Sequence, residues 1–213
     1  MSIVKCHTCI SLDGYAAGPN QNLDNPLGVN GMRIFEWMFA TNAWRKMQRM
    51  SPVPESADDA VVYDISSNPN VGAHIMGRNM FGPIRGEWDT SWKGWWGANP
   101  SYHGPVFVLT HYEREPQPME GGTTFYFVTD GIDSALRQAR EVAGSKDIQI
   151  AGGASTARQF LRAGYLDELH LHLAPVILGA GERLLEDVGN PQLRIERVIA
   201  SPNVTHLTYR VDR

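Results

Sequence analysis

The segment Ile148-Gln149-Ile150-Ala151-Gly152-Gly153-Ala154-Ser155-Thr156 carries the strongest hint of chemistry in the chain. It reads as a strand that runs into a double glycine and then a helix. A helix start presents backbone N–H groups and the positive end of a dipole, which together hold a phosphate without a charged side chain. Gly152 and Gly153 would let the backbone, with Ala154, approach a pyrophosphate, and Ser155 or Thr156 would cap the helix and add a hydrogen bond. A tight strand-to-helix turn with no ligand has the same pattern. Met76-Gly77-Arg78-Asn79-Met80-Phe81 repeats the theme with an arginine, whose planar fork suits a phosphate such as the one that separates NADPH from NADH. A solvated helix-end charge is the plainer reading of Arg78. A third strand, Val106-Phe107-Val108-Leu109-Thr110-His111, has a polar end fit to border an adenosine, with Arg114 beyond it as a second cation.

Other reactive residues point to structure. Cys6 and Cys9 form a C-x-x-C, but Ile3–Ser11 reads as a strand, which turns positions three apart to opposite faces. With no second cysteine pair, neither a redox pair nor a zinc site is expected. His170 and His172 alternate with leucines, so both share one strand face, yet no third ligand is evident. We therefore expect no metal there, and a sheet surface or subunit contact instead. Four tryptophans, Trp88, Trp92, Trp95 and Trp96, lie among glycines in one loop. They either pack that loop or a subunit contact, or form an aromatic wall for a planar ligand.

The elements that must position these residues alternate. After the first strand comes the Gly/Asn/Pro-rich stretch from Leu12 to Asn20, then apolar residues at three and four spacing through Ile34–Phe39 and Trp44–Met50, as on a half-buried helix stopped by Pro52 and Pro54. Ser56–Val71 is least legible, with a helix around Asp59–Ser66. Strands are expected at His74–Gly77, Val106–Thr110, Thr124–Val128 and Ile148–Ala151, and helices at Ser134–Val142 and Ser155–Ala163. This alternation implies crossovers and a largely parallel sheet. Leu166–Leu178, Leu193–Ala200 and Val204–Val211 follow as consecutive strands, an antiparallel C-terminal edge on a mixed sheet.

The 213 residues, 42% hydrophobic and 20% charged, suffice for one α/β domain over 1–213, and no linker or repeat divides them. A net charge of -4 without a Lys/Arg run argues against nucleic acid as a partner. No basic-then-apolar leader and no apolar run of about 18 residues is present, so a cytoplasmic protein without a membrane partner is expected.

Taken in order, Met-Gly-Arg-x-x-Phe after a strand, a strand ending in Leu-Thr, and Ile-Ala-Gly-Gly-Ala resemble the cofactor-binding set of the dihydrofolate reductase superfamily. The chain is most similar to the branch of the reductase domain of the bifunctional riboflavin-biosynthesis deaminase-reductase. Ser11-Leu12-Asp13-Gly14 and the stretch from Asp167 to Gly181 carry that likeness, which spans about residues 2 to 211. The resemblance implies a central mixed, mostly parallel sheet flanked by helices, with NADPH across the carboxyl ends of the parallel strands. It places Gly77, Arg78 and Asn79 at the phosphates, Leu109 and Thr110 beside adenosine, and Gly152, Gly153, Ala154, Ser155 and Thr156 around the pyrophosphate. Asp13 and Gly14 match the loop over nicotinamide and substrate, and Glu36 is the nearest candidate for the carboxylate on the first helix. Asp13 and Glu36 are thus the candidate catalytic residues. A zinc deaminase would need H-x-E and P-C-x-x-C, which Cys6-His7-Thr8-Cys9 does not supply. The implied activity is hydride transfer from NADPH to a small planar heterocycle, either pterin-like or like 5-amino-6-(5-phosphoribosylamino)uracil, by a homodimer. The competing expectation is a homodimeric nucleotide-binding module of the same fold with no turnover.

Overall fold

The computed structural model describes residues 2–212. Its first strand, β1 (Val4–Ser11), alternates strictly. Val4, Cys6 and Ile10 enter one core, while Cys9 enters a second core on the other face. The two cysteines are therefore buried, free and on opposite sides of the sheet. Burial pushes both thiols up to about 12, so neither is a thiolate at neutral pH.

A tight turn leads to β2 (Tyr15–Ala17), and a long loop then enters a 3-10 turn at Gly31–Phe35. The helical region that follows is broken where one helix was expected. α1 (Glu36–Phe39) stops, and α2 (Asn42–Met47) restarts behind Thr41, whose hydroxyl accepts the Trp44 N–H at 3.2 Å. An extended residue with a capping oxygen satisfies a new helix start, so Thr41 interrupts an otherwise helical spacing. α3 (Ala57–Ser67) begins with a capping box between Ser56 and Asp59, which explains the acidic start of that stretch.

From here the chain winds β3 (Val71–Gly77), α4 (Arg78–Phe81), β4 (Pro105–Leu109), the short β5 (Gln117–Pro118), β6 (Thr124–Val128), α5 (Gly131–Ala143), β7 (Asp147–Gly152) and α6 (Ala154–Arg162). The last part is β8 (Glu168–Ala174), β9 (Glu182–Arg183), β10 (Gln192–Ala200) and β11 (Thr205–Asp212). Nine strands form one mixed sheet in the order β10-β11-β8-β1-β7-β3-β4-β6-β5, and β2 pairs with β9 beside it. From β8 to β6 all neighbours are parallel, while β10, β11 and β5 run antiparallel at the two edges. The sequence grouped β8 with the antiparallel strands. Because α6 carries the chain back across the sheet, β8 joins β1 in parallel instead.

α5 and α6 bury Leu136, Ala139, Phe160 and Leu161 against one sheet face. α1 to α3 cover the other face around β1 and β8 with Trp37, Met38 and Val62. Phe81, Phe125 and the Trp-rich loop cover it around β3, β4 and β6. Among the described residues no helix is long and apolar enough to cross a membrane.

Candidate active site

The parallel strands β1, β7, β3, β4 and β6 end on one side, and a cleft of ≈ 1370 Å³ opens there. β7 ends at Gly152, whose φ of +115° lies outside the range L side chains favour, and its peptide bond to Gly153 is cis. Gly153 is extended and caps α6, where the first intrahelical bond runs from the Ala157 N–H to the Gly153 carbonyl at 3.1 Å. The N–H groups ahead of Ala157 have no partner inside the helix. A Cβ placed on Gly153 would meet nothing within 4 Å, so this position opens into the cleft. Gly77, at the end of β3, has the opposite surroundings. A Cβ there would lie 2.5 Å from the Thr156 hydroxyl, so only glycine lets the first turn of α6 sit against β3.

Leu109 and Thr110 end β4 on the same rim, with the Thr110 N–H donating to Val128 and its hydroxyl accepting the Tyr112 N–H. All of Gly77, Arg78, Asn79, Leu109, Thr110 and the run from Gly152 to Thr156 line the cleft. Arg78 is not extended towards it. Its guanidinium lies 3.8 Å from the Trp88 ring centroid, and Nε and Nη1 are covered without a hydrogen-bond partner. Desolvation lowers its pKa. Arg85, which sequence reasoning missed, also lines the cleft and donates to the Asn79 amide oxygen. Arg114 instead holds the Trp-rich loop, donating to the carbonyls of Thr90 and Trp92 and to Gln117. That loop is packed mainly by its own aromatics, with Trp88 and Trp96 against Phe127 and Phe125. Trp95 and Trp96 additionally border the cleft.

The two candidate catalytic carboxylates lie elsewhere. Glu36 is exposed on α1 and is not among the cleft residues, because the inward positions of that short helix belong to Trp37 and Met38. Asp13 is a clasp. Its carboxylate accepts the N–H groups of Leu178 (3.1 Å) and Gly179 (2.7 Å), tying the loop after β1, with Gly14 at φ +86°, to the loop after β8. The Ser11 hydroxyl bond, and then those backbone N–H groups, hold the Asp13 carboxyl down to about 2. It is ionised at neutral pH and has no proton to give. A carboxyl lowered on folding stabilises the fold above its ordinary pKa, and that contribution is lost as pH falls towards about 2. We therefore expect Asp13→Asn to lower the thermal unfolding temperature at pH 7, and the difference from the parent to close between about pH 4 and about pH 2.

At the other end of the cleft, Met38, Phe39, Trp44 and Met47 form an apolar wall over a floor of His7, Thr8, Cys9, Gln149 and His172. His7 and His172 come together only through sheet register, in which β1 pairs His7 with His170 and Cys9 with His172. His7 Nδ1 and His172 Nε2 are 3.3 Å apart. Burial, and then the neighbouring imidazoles, keep both pKa values well below the usual histidine range, so both are neutral at pH 7. His7, His170 and Asp64 bring donor atoms within 4.8 Å of one another. The Lys5 ammonium already sits 3.1 Å from Asp64, and the His7 and His170 rings stack with centroids 4.2 Å apart.

Residues 2–207 match the family model of the RibD C-terminal domain. The chain belongs to that family. Its RibD-type fold recurs at 21% identity and a TM-score of 0.65 in a protein assigned by name to riboflavin biosynthesis from Shewanella sp. PV-4, covering 99% of each chain. A deaminase and 5-amino-6-(5-phosphoribosylamino)uracil reductase from Thermotoga maritima matches at 14% and 0.55, over 99% of this chain and 57% of that one. A dihydrofolate reductase from Enterococcus faecalis, complexed with NADP(H), matches at 12% and 0.52, over 99% and 97%. At these identities the likeness is one of fold. By sequence, the uncharacterized protein YyaP of Bacillus subtilis (strain 168) is 39% identical over 83 residues, which is 39% of this chain and 40% of that relative's length. The RibD C-terminal domain here thus has the mixed sheet of the dihydrofolate reductase-like enzymes.

Proposed function

We propose that this chain is an NADPH-dependent reductase that delivers a hydride to a small planar heterocycle of the pterin or pyrimidine class. The observation that carries this reading is the cradle at the ends of β7 and β3. There Gly153 leaves open space, and Gly77 admits Thr156 beside the N–H groups of α6 that have no partner inside the helix. Those residues would hold the pyrophosphate, with Leu109 and Thr110 at the adenosine. Arg78, Asn79 and Arg85 fit the additional phosphate. Drawing the guanidinium of Arg78 off Trp88 would give its two covered donors an acceptor, and leaving a buried donor unmade costs about 1–3 kcal/mol. When bound, the nicotinamide supplies the hydride, and the chain supplies orientation and a dry site. The apolar wall opposite His7 and His172 suits a flat ring with polar edges. In a homodimer β8 is already paired on both sides; of the two open sheet edges, β10 and β5, the nine-residue β10, with Leu193, Ile195 and Val198 exposed, suits a second copy better than the two-residue β5. Cytoplasmic residence is part of the same reading.

Fluorescence titration of the whole protein with NADPH and NADH tests it. NADPH is expected to bind at least about tenfold tighter, about 1.4 kcal/mol, and Arg78→Ala to bring the two nucleotides level. Binding of neither nucleotide would overturn the proposal. Tight binding with no NADPH oxidation across pterin and pyrimidine acceptors would favour the module without turnover.

A further inference from the structure

Beneath the apolar wall, five buried or half-buried groups from four elements form a continuous line. The Asp58 carboxylate on α3 faces His206 Nε2 on β11 at 3.1 Å. His206 Nδ1 lies 2.9 Å from His172 Nδ1, and His172 Nε2 lies 3.3 Å from His7 Nδ1. His7 Nε2 then faces Asp64 Oδ2, again on α3, at 3.4 Å. The edge of the Trp37 ring closes the line from α1.

Counting hydrogens shows what this line lacks. Four gaps separate the five groups, and each gap needs one hydrogen to become a hydrogen bond. The two carboxylates bring none, and three neutral imidazoles bring three. With His206 donating to Asp58, His172 must donate to His206 and His7 to His172, so His7 Nε2 reaches Asp64 bare. His7 Nε2 is buried, and the Asp64 oxygen 3.4 Å away does not meet it in hydrogen-bond geometry. The other oxygen of Asp64 is taken by Lys5 at 3.1 Å and by the Asn68 amide at 2.6 Å, leaving Oδ2 to His7.

We propose that Asp58, His206, His172, His7 and Asp64 form a hydrogen-bonded relay, which takes up one proton as a unit and sets its positive charge beneath the floor of the substrate cleft. The ends suit that use. Asp64 is about a third exposed and can exchange with solvent, whereas His7 and His172 line the cleft. This rests on the reductase reading for its purpose. A hydride added to the carbon of a C=N bond leaves an electron pair on nitrogen, and one proton completes the N–H. That proton comes from water in the cleft, because every ring nitrogen of the line is engaged within it, while the single positive charge of the filled line lies beneath the ring and a dihydronicotinamide is the reductant.

Other charges bear on the line from every packed element. Lys5 on β1, His170 and Glu168 on β8, and Arg197 and Arg210 on β10 and β11 surround it. Burial most of all, and then the neighbouring imidazoles, Lys5 and Arg197, oppose a further positive charge, so filling falls on the acid side of the ordinary histidine range.

Ring-nitrogen NMR of the ¹⁵N-histidine protein, titrated without nucleotide, tests the relay apart from the reductase reading. We expect the His7, His172 and His206 signals to move together below about pH 6.5 with an uptake of one proton. In Asp64→Asn the amide donates a hydrogen to His7 Nε2 and keeps an acceptor for Lys5. The missing hydrogen is then supplied, and the shared titration should vanish from a protein that still melts cooperatively. Three separate midpoints, no uptake before unfolding, or a shared titration that survives in Asp64→Asn would each overturn the proposal. A relay that titrates as expected in a protein that binds no NADPH would leave the relay standing and sink the reductase reading.

Discussion

Gly153→Val should weaken NADPH binding about a thousandfold, about 4 kcal/mol, and lower stability by only about 1 kcal/mol, the cost of an unfavourable helix cap. The two halves of that expectation have separate causes. Gly153 has a φ of −71°, which any L residue adopts, and a Cβ there meets nothing within 4 Å. The fold therefore resists the side chain only through the poorer helix cap that valine makes. The space it fills is the approach to the first N–H groups of α6, so a pyrophosphate can no longer come within hydrogen-bond distance. Gly152 would not separate the effects, because at φ +115° any side chain strains the backbone. Isothermal titration and thermal melting on the same preparation check both halves, and unchanged affinity would remove the cradle from the cofactor site.

The second large effect is on stability. Phe125→Ala is expected to cost about 3–5 kcal/mol in chemical denaturation, the range for deleting a fully buried aromatic ring. Phe125 is 0% exposed in β6, edge-on to Phe81 at 5.0 Å and stacked on Trp96 at 5.7 Å. Trp96 borders the cleft, so the cavity should also loosen the Trp-rich loop and lower nucleotide affinity. A loss below about 1 kcal/mol would mean that the loop collapses onto the vacated space.

Local pattern made much of this molecule legible. α5 and α6 carry their buried residues on one face, and the glycines at 77, 152 and 153 mark the strand ends that the cleft uses. β2, β5 and β9 have two or three residues each, too few for any periodicity to register. The broken helix was missed because the apolar spacing through Trp44 continues across Thr41, and only the capping geometry reveals the restart. Glu36 fitted a helical spacing that says nothing about which side of a four-residue helix meets the cleft. The relay was hidden for a different reason. His7, His172 and His206 lie on three strands, and it is register, not spacing along the chain, that aligns them. The pair His170 and His172 was visible, yet only His172 faces the cleft floor, and His170 binds Glu168 at 2.9 Å.

The strand order has a consequence for how the protein is made. β1 leaves the ribosome first, but its neighbours on both sides are late segments, tied to it by contacts spanning 144 and 163 residues. At synthesis rates of about 5–20 residues per second, β1 waits roughly 7–30 s for its first partner. Meanwhile β3, β4, β6 and α5 can assemble among themselves, because they follow one another closely in the chain. The nascent chain thus carries a strand with two open edges, in which Val4, Cys6, Cys9 and Ile10 are its apolar residues, for longer than any other part of the sheet. That strand is where a chaperone has most to protect, and where aggregation during expression would begin.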